Sequence, residues 1–330
     1  MILLIHPLIL FYHHKRTNRP KDKKMETIKF KTIYKPTLWG SETWMISSVK
    51  GSESIADGGS FHGLSLPEIA EKFGAELLGH KVFDKFGSQF PLLAKYIDAR
   101  QDLSIQVHPN DAMAAREHGK MGKNEMWYVI GAQEGACLID GFAKPLAEED
   151  YAQAVTDGSI EDYLNKVPVT PGDVFYIPAG RVHGIGAGCF IAEIQQSSDV
   201  TYRLYDYNRR DKDGNLRQLH TELARKAITF GSVTTDPRTH YTPEVNKDNV
   251  VVSSPFFTTS VLDLNKETKL DFAGHDSFHI FMNLSGSCQI VAPCGSSIEL
   301  GNQEAALVPA CSQFVTVVPN GSVKLLMSRL

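Results

Sequence analysis

The stretch GDVFYIPAGRVH, Gly172 to His183, decides how this chain is built. Its pattern is Gly-x5-Pro-x-Gly-x2-His. Gly172 makes a tight entry, a short strand follows, and Pro178 ends it. Gly180 admits a turn with φ > 0, which residues bearing a Cβ resist. The chain then returns with His183 aimed back inside. A second stretch, LSIQVHPND from Leu103 to Asp111, carries a matching oddity. Side chains two apart share a strand face, so Ile105 and Val107 point one way while Gln106 and His108 point together the other. A polar pair aimed at an interior needs partners, because a buried unpaired polar group costs about 1–3 kcal/mol.

The 330 residues suffice for one large domain or two ordinary ones with a well-buried core. With 42% hydrophobic and 22% charged residues, the composition is that of a soluble globular protein. Five cysteines form no Cys-x-x-Cys pair. Their odd count and irregular spacing argue against a disulfide framework or thiolate zinc site, and for a reducing, cytosolic setting. The opening run MILLIHPLILFY is far shorter than the roughly 20 residues that span a bilayer. The basic HHKRTNRPKDKK after it reverses the order of a secretory signal. Met25 immediately precedes ETIKFKTIYKP, which reads as an opening strand, so residues 1–24 are expected to be a non-native or disordered upstream extension. They hold six Lys/Arg against one Asp, so without them the formal charge falls from −4 to −9. An acidic body argues against nucleic acid or anionic membrane as partner. An anionic substrate must then be held by local basic residues.

Along the chain, SLPEIAEKFGAELLG (Ser65–Gly79) predicts a helix with a Ser N-cap and a closing Gly. FPLLAKYID and LSIQVH predict strands, NDAMAAREHGK a short helix begun by Asn110 or Asp111, and EMWYVIGA another strand. PLAEEDYAQAVTDGSIEDYLNKV predicts two short helices broken at Asp157-Gly158, inserted in an otherwise β domain. A helix is expected over about Leu216 to Gly231. A polar linker over residues 232–249 then leads to a strand-rich part with Gly/Asn/Pro turns, residues 250–330. The expected organisation is therefore a metal-binding unit over 25–231 and a second β unit over 250–330.

Four candidate ligands stand out: Gln106 and His108 on one strand face, Glu125 at the head of the next strand, and His183 after its turn. A lone histidine in a strand is most often a packed, hydrogen-bonded residue, and His13, His14, His220 and His240 are read that way. The four together resemble the two-part motif of the cupin superfamily, small antiparallel barrels with a metal in the mouth. Gln106 stands where cupins usually carry the first His. Two imidazoles, one carboxylate and an amide oxygen suit zinc with an open position; two His and a carboxylate also suit iron.

Three further stretches, FPLLAKYIDARQDLSIQVHPND, KNEMWYVI and AEIQQSSDVTYRLYDYNR, together with TLWGSETW, resemble the type I mannose-6-phosphate isomerases in their short bacterial form. The resemblance implies a mainly β fold of two cupin-type (jelly-roll) barrels, with a small helical insertion in the first and a connecting helix. It implies one Zn²⁺ held by Gln106, His108, Glu125 and His183. The substrate implied is a small sugar phosphate, mannose 6-phosphate interconverted with fructose 6-phosphate through an enediolate, in a monomer or weak homodimer. The family's catalytic positions fall on Arg203, Glu193 and Asp199, and its substrate-binding positions on Lys123, Ser104 and, more softly, Arg209. The second cupin-like part keeps Gly301 and Pro309 but has no His where a ligand would fall; His275 and His279 precede it without a matching partner. Two readings compete with the isomerase: a metal cupin of another class, such as an iron dioxygenase, and a non-catalytic sugar-phosphate-binding cupin.

Overall fold

A computed structural model of the chain describes residues 25–210 and 213–330; the apolar and basic opening segment, with His13 and His14, lies outside them. The chain opens with strands β1 (Ile28–Lys29), β2 (Ile33–Thr37) and β3 (Gly40–Ile46). Helices α1 (Leu66–Phe73), α2 (Ala75–Leu78) and α3 (His80–Phe86) follow. Next come β4 (Leu92–Ala99), β5 (Ile105–Val107), α4 (Asp111–His118), β6 (Glu125–Ala132) and β7 (Cys137–Phe142). The helical insert is α5 (Glu148–Asp157) with a 3-10 turn at Ser159–Asp162, broken where Gly158 takes φ +82°. Strands β8 (Leu164–Pro168), β9 (Val174–Ile177), β10 (His183–Ile185), β11 (Cys189–Gln196) and β12 (Tyr202–Tyr205) complete the first unit, before α6 (Thr221–Ala227). The rest is strand: β13 (Asp248–Ser253), β14 (Thr258–Leu264), β15 (Thr268–Asp271) and β16 (His279–Val291). The last three are β17 (Ser297–Leu300), β18 (Ala305–Val308) and β19 (Phe314–Arg329).

The fold is mainly β, in three antiparallel sheets. One runs β2-β3-β4-β11-β6-β9, a second β12-β5-β10-β7-β8, and the third β1-β18-β16-β19-β14-β13 with β15 and β17 at its margins. Among the described residues each path stays open, so the cupin-like layers are facing sheets rather than closed barrels. The six- and five-stranded sheets face each other over a core that includes Ile97, Trp127 and Ile191 from one side and Leu103, Leu138 and Ile185 from the other.

The six-stranded sheet is buried on both faces, and the period of two in its strands shows how. Leu92, Ala94 and Tyr96 pack with Ile280, Met282 and Leu326 of the third sheet. Their neighbours Leu93, Lys95 and Ile97 line a cleft on the opposite face. The same alternation sends Ala192 and Ile194 of β11 to the third sheet and Glu193 and Gln195 to the cleft.

Three local readings differ from the structure. Ser65–Gly79 is two helices, because Gly74 leaves helical geometry at φ +48°; Ser65 is the N-cap as the sequence suggests, and Glu68 completes a capping box with it. The helix expected from Leu216 begins only at Thr221. Strand β1 pairs with β18, Ile28 opposite Leu307, so the opening strand is an edge of the third sheet. The linker lies along the first unit, its Thr239 N–H bonded to the Val174 carbonyl and Arg238 3.4 Å from Asp173.

Candidate metal centre and active-site cleft

Sheet register assembles the site. Directly opposed residues of an antiparallel pair project from the same face. Across the five-stranded sheet, Gln106 lies opposite both Arg203 and His183, and His183 lies opposite Asp140. The row Arg203–Gln106–His183–Asp140 therefore crosses four strands. On the facing sheet, Glu193 lies opposite both Lys95 and Trp127, and Gln195 opposite Glu125. His108 follows β5, and its carbonyl accepts the Gly180 N–H, which ties the two quoted stretches together.

Two hydrogen bonds set the histidine tautomers. His108 Nδ1 stands 2.9 Å from the Val200 carbonyl and His183 Nδ1 2.8 Å from the Arg181 carbonyl. A carbonyl only accepts, so each Nδ1 carries the proton and each Nε2 presents a lone pair. The two Nε2 atoms are 3.2 Å apart. Burial holds both rings neutral: His108 is pushed down to about 3, with the Lys123 charge adding to the effect, and His183 is lowered as well. Glu125 is fully buried; its Oε2 is ion-paired with Lys123 at 3.0 Å, and its Oε1 has no hydrogen bond. Burial opposes its ionisation, but Lys123 and the two histidines outweigh that and hold it well below the usual carboxylate range. Its oxygens stand 3.4 Å from His108 Nε2 and 3.4 Å from His183 Nε2.

His108, Glu125 and His183 thus offer ligand atoms within 4.8 Å of one another. Two imidazole lone pairs converging at that spacing on a carboxylate whose Oε1 has no hydrogen bond suit a cation at their centre. The Gln106 amide reaches 3.3 Å from His183 Nε2, and a half-turn brings its oxygen to that position as a fourth donor. Two imidazoles, a carboxylate and an amide oxygen fit a tetrahedral-to-five-coordinate divalent metal.

The centre opens onto a cleft of about 380 Å³ lined in part by Ser104, Gln106, Lys123, Glu193, Asp199 and Arg203. Lys123 Nζ lies 3.0 Å from Glu125 and 3.8 Å from Glu193. Glu193 accepts the Trp127 indole N–H at 2.8 Å, and burial together with the Glu125 charge raises its pKa. Arg203 Nε donates to Ser104 Oγ at 3.3 Å and Nη1 to the Gln218 carbonyl at 2.8 Å. Asp199 stands at the rim, paired with Lys120.

The structure does not bring Arg209 into the cleft lining: it is bonded to Asp206 and the Asp102 carbonyl. Arg217, 3.1 Å from Asp206, takes a place in the lining instead. His275 and His279 meet each other at 3.1 Å, with His279 stacked on Phe272 at 3.7 Å, and among the described residues no further His, Cys, Asp or Glu joins them in a metal-capable group. His220, read as structural, accepts the Arg203 N–H at 3.1 Å.

Residues 33–135 match the model of the phosphomannose isomerase type I catalytic domain. A mannose-6-phosphate isomerase of Streptococcus mutans is 38% identical over 235 residues, 71% of this chain and 72% of that protein. The chain belongs to the type I phosphomannose isomerase family of enzymes. A probable mannose-6-phosphate isomerase of Bacillus subtilis, GmuF, is 34% identical over 282 residues, 78% of this chain and 86% of that one. The crystal structure of the mannose 6-phosphate isomerase from Bacillus subtilis superposes with a TM-score of 0.82 at 28% identity, over 93% of this chain and 100% of that one. The matched family segment contains Ser104, Gln106, His108, Lys123 and Glu125, while His183 and Arg203 lie beyond it.

Sequence reading missed Lys95, Glu42 and Arg217 as residues that line this cleft. Lys95 lies 3.2 Å from Glu42 and 3.1 Å from Glu193. Its signal was present: a lysine in the apolar run LLAKYI must either be exposed or find a buried carboxylate.

Proposed function

We propose that the chain interconverts mannose 6-phosphate and fructose 6-phosphate, with Gln106, His108, Glu125 and His183 holding zinc. The observation that carries this reading is the convergence of three buried candidate ligands beside a cleft lined by Lys123, Arg203 and Arg217, to which Gln106 and Lys123 join them. Its volume falls in the small-molecule range of about 300–1,000 Å³. The family membership and the names of the relatives above support the substrate. When bound, zinc supplies Lewis-acid stabilisation of negative charge on sugar oxygens and no redox chemistry, which an aldose–ketose exchange does not require.

The chain's own residues do the rest. Moving the carbonyl between C1 and C2 requires a proton to leave one carbon and return to the other, with negative charge developing on oxygen between. Glu193, raised in pKa yet flanked by Lys95 and Lys123, and Asp199 at the rim are the carboxylates able to carry that proton. Arg203 remains cationic and faces the cleft, suited to stabilise the enediolate charge. Ser104 orients its guanidinium. Arg217 provides a second fixed cation at the same wall for the phosphate, with Lys123 deeper in. Trp39 and Trp44 add apolar surface to the cleft lining.

The test is direct. The purified chain is analysed for metal, then assayed for fructose 6-phosphate formed from mannose 6-phosphate, beside His183→Ala and Arg203→Ala. Zinc near one per chain, turnover, and its loss in both variants is the expected result. Metal without turnover would turn the reading to another metal-dependent cupin chemistry or to binding alone, and iron in place of zinc would favour the former.

A further inference from the structure

Asp140 is fully buried beside the metal centre and has no part in the chemistry above. It lies opposite His183 in the β7–β10 ladder and so projects from the same face. Its Oδ1 is 3.1 Å from Arg181 Nη1, and its Oδ2 has no hydrogen bond. Arg181 is two residues before His183, and its carbonyl is the acceptor for His183 Nδ1–H at 2.8 Å. The β7 strand also grips the same turn through its backbone, Gly141 N–H to the Val182 carbonyl at 2.8 Å. The direction of one carbonyl therefore selects which His183 nitrogen faces the centre, and the guanidinium of the same residue is anchored to β7 by a buried charge.

We propose that Asp140 and Arg181 form a positioning pair for metal retention. The carboxylate holds the guanidinium, the anchored residue holds its carbonyl toward His183 Nδ1–H, and Nε2 is thereby kept aimed at the metal. This rests on the metal-centre reading above. A carboxylate that orients a ligating imidazole is a familiar arrangement when it bonds the ring directly; here the ring is reached through the backbone of the residue the carboxylate binds. Stability alone does not explain the pair, since a buried carboxylate with an unpaired oxygen adds little to folding.

The experiment measures zinc affinity of the full chain by competition with a chromophoric chelator, with no sugar present. Asp140→Asn, Arg181→Gln, Arg181→Lys and the double variant Asp140→Asn/Arg181→Gln are compared with the wild type, and Arg116→Gln, at an exposed ion pair, serves as control. Zinc dissociation constants are expected to rise by about 10- to 100-fold in Asp140→Asn and Arg181→Gln. The double variant is expected to lose no more than either single one, and Arg181→Lys to recover part of the loss. The melting temperature of the metal-free chain is expected to fall in Arg181→Gln, which leaves the buried Asp140 carboxylate unpaired, and to stay close to the wild-type value in Asp140→Asn and the double variant, where no buried charge is stranded. In metal-free protein, ¹⁵N spectra show one His183 tautomer in the wild type and exchange between two in Arg181→Gln. Affinities within about twofold of the wild type, additive losses, or affinity falling only in step with metal-free stability would each overturn the proposal. Should Asp140→Asn fail to fold, Arg181→Gln, whose side chain is part-exposed, decides alone. A wild-type chain that binds no zinc overturns the metal-centre reading itself, and is distinguishable from a wild type that binds while the variants bind equally well.

Discussion

Lys95 occupies an interior strand position with almost no exposure, and it stays there because it is shared between Glu42 and Glu193. Acidic and basic side chains alternate from Glu42 through Lys95, Glu193 and Lys123 to Glu125, so each has a neighbour of opposite type. Lys95→Met strands two of those carboxylates, and a loss of about 3–5 kcal/mol is expected in urea unfolding; a variant as stable as the wild type would show that the carboxylates do not depend on the lysine. Glu42 gives the same network a pH signature. Burial works to raise its pKa, but Lys95, the Trp44 indole and Lys123 together hold it below the usual carboxylate value. A depressed folded pKa contributes stability that is fully present above the unfolded value and is lost as pH falls through the folded one. Melting temperatures followed between about pH 3 and 6 should fall less steeply on the acid side in Glu42→Gln than in the wild type. Arg217→Ala is expected to raise KM for the sugar phosphate by roughly 10- to 100-fold, with a smaller change in kcat, since a charged hydrogen bond contributes about 1.5–3 kcal/mol; an unchanged KM would remove Arg217 from phosphate binding.

At the scale of elements, the turn from β9 to β10 is held tightly on both sides. Gly180 takes φ +88°, and a Cβ there would stand 2.7 Å from Thr229 Oγ1 and 3.0 Å from the Ala227 carbonyl at the end of α6. Backbone conformation and close approach both require glycine. Gly180→Ala should lower stability by about 1–3 kcal/mol and weaken zinc binding, read by denaturant unfolding and chelator competition; retained zinc affinity would mean that His183 does not depend on this turn. The helix over Ser65–Gly79 shows the opposite case. Its N-cap was legible because the capping box is local, while the break at Gly74 was not, because a glycine is tolerated within a helix and only the packing around it decides.

For the molecule as a whole, the metal centre joins two sheets that are already packed on an apolar core, so the chain is expected to remain folded without metal and to melt lower. Zinc at about 1,000 times its dissociation constant adds roughly 4 kcal/mol. A chelator should remove that increment from the wild type and change nothing in His183→Ala; an identical melting temperature with and without chelator would deny a bound metal. The sequence by itself determined the strand-rich class and the turn at Gly180 and marked four candidate ligands, because alternation, glycine chemistry and ligand type are local properties. It also marked Arg203, Glu193 and Lys123, through likeness to a family that the comparisons bear out. Tertiary structure alone decided which cations share the cleft. Arg209 and Arg217 are equally basic in the sequence, and only the way the chain folds back past Asp206 turns one away and the other in. The pairing of β1 with β18, the carboxylates that make Lys95 tolerable and the carboxylate opposite His183 belong to the same class. Each depends on strand order and register between segments distant in the chain, which no local pattern encodes.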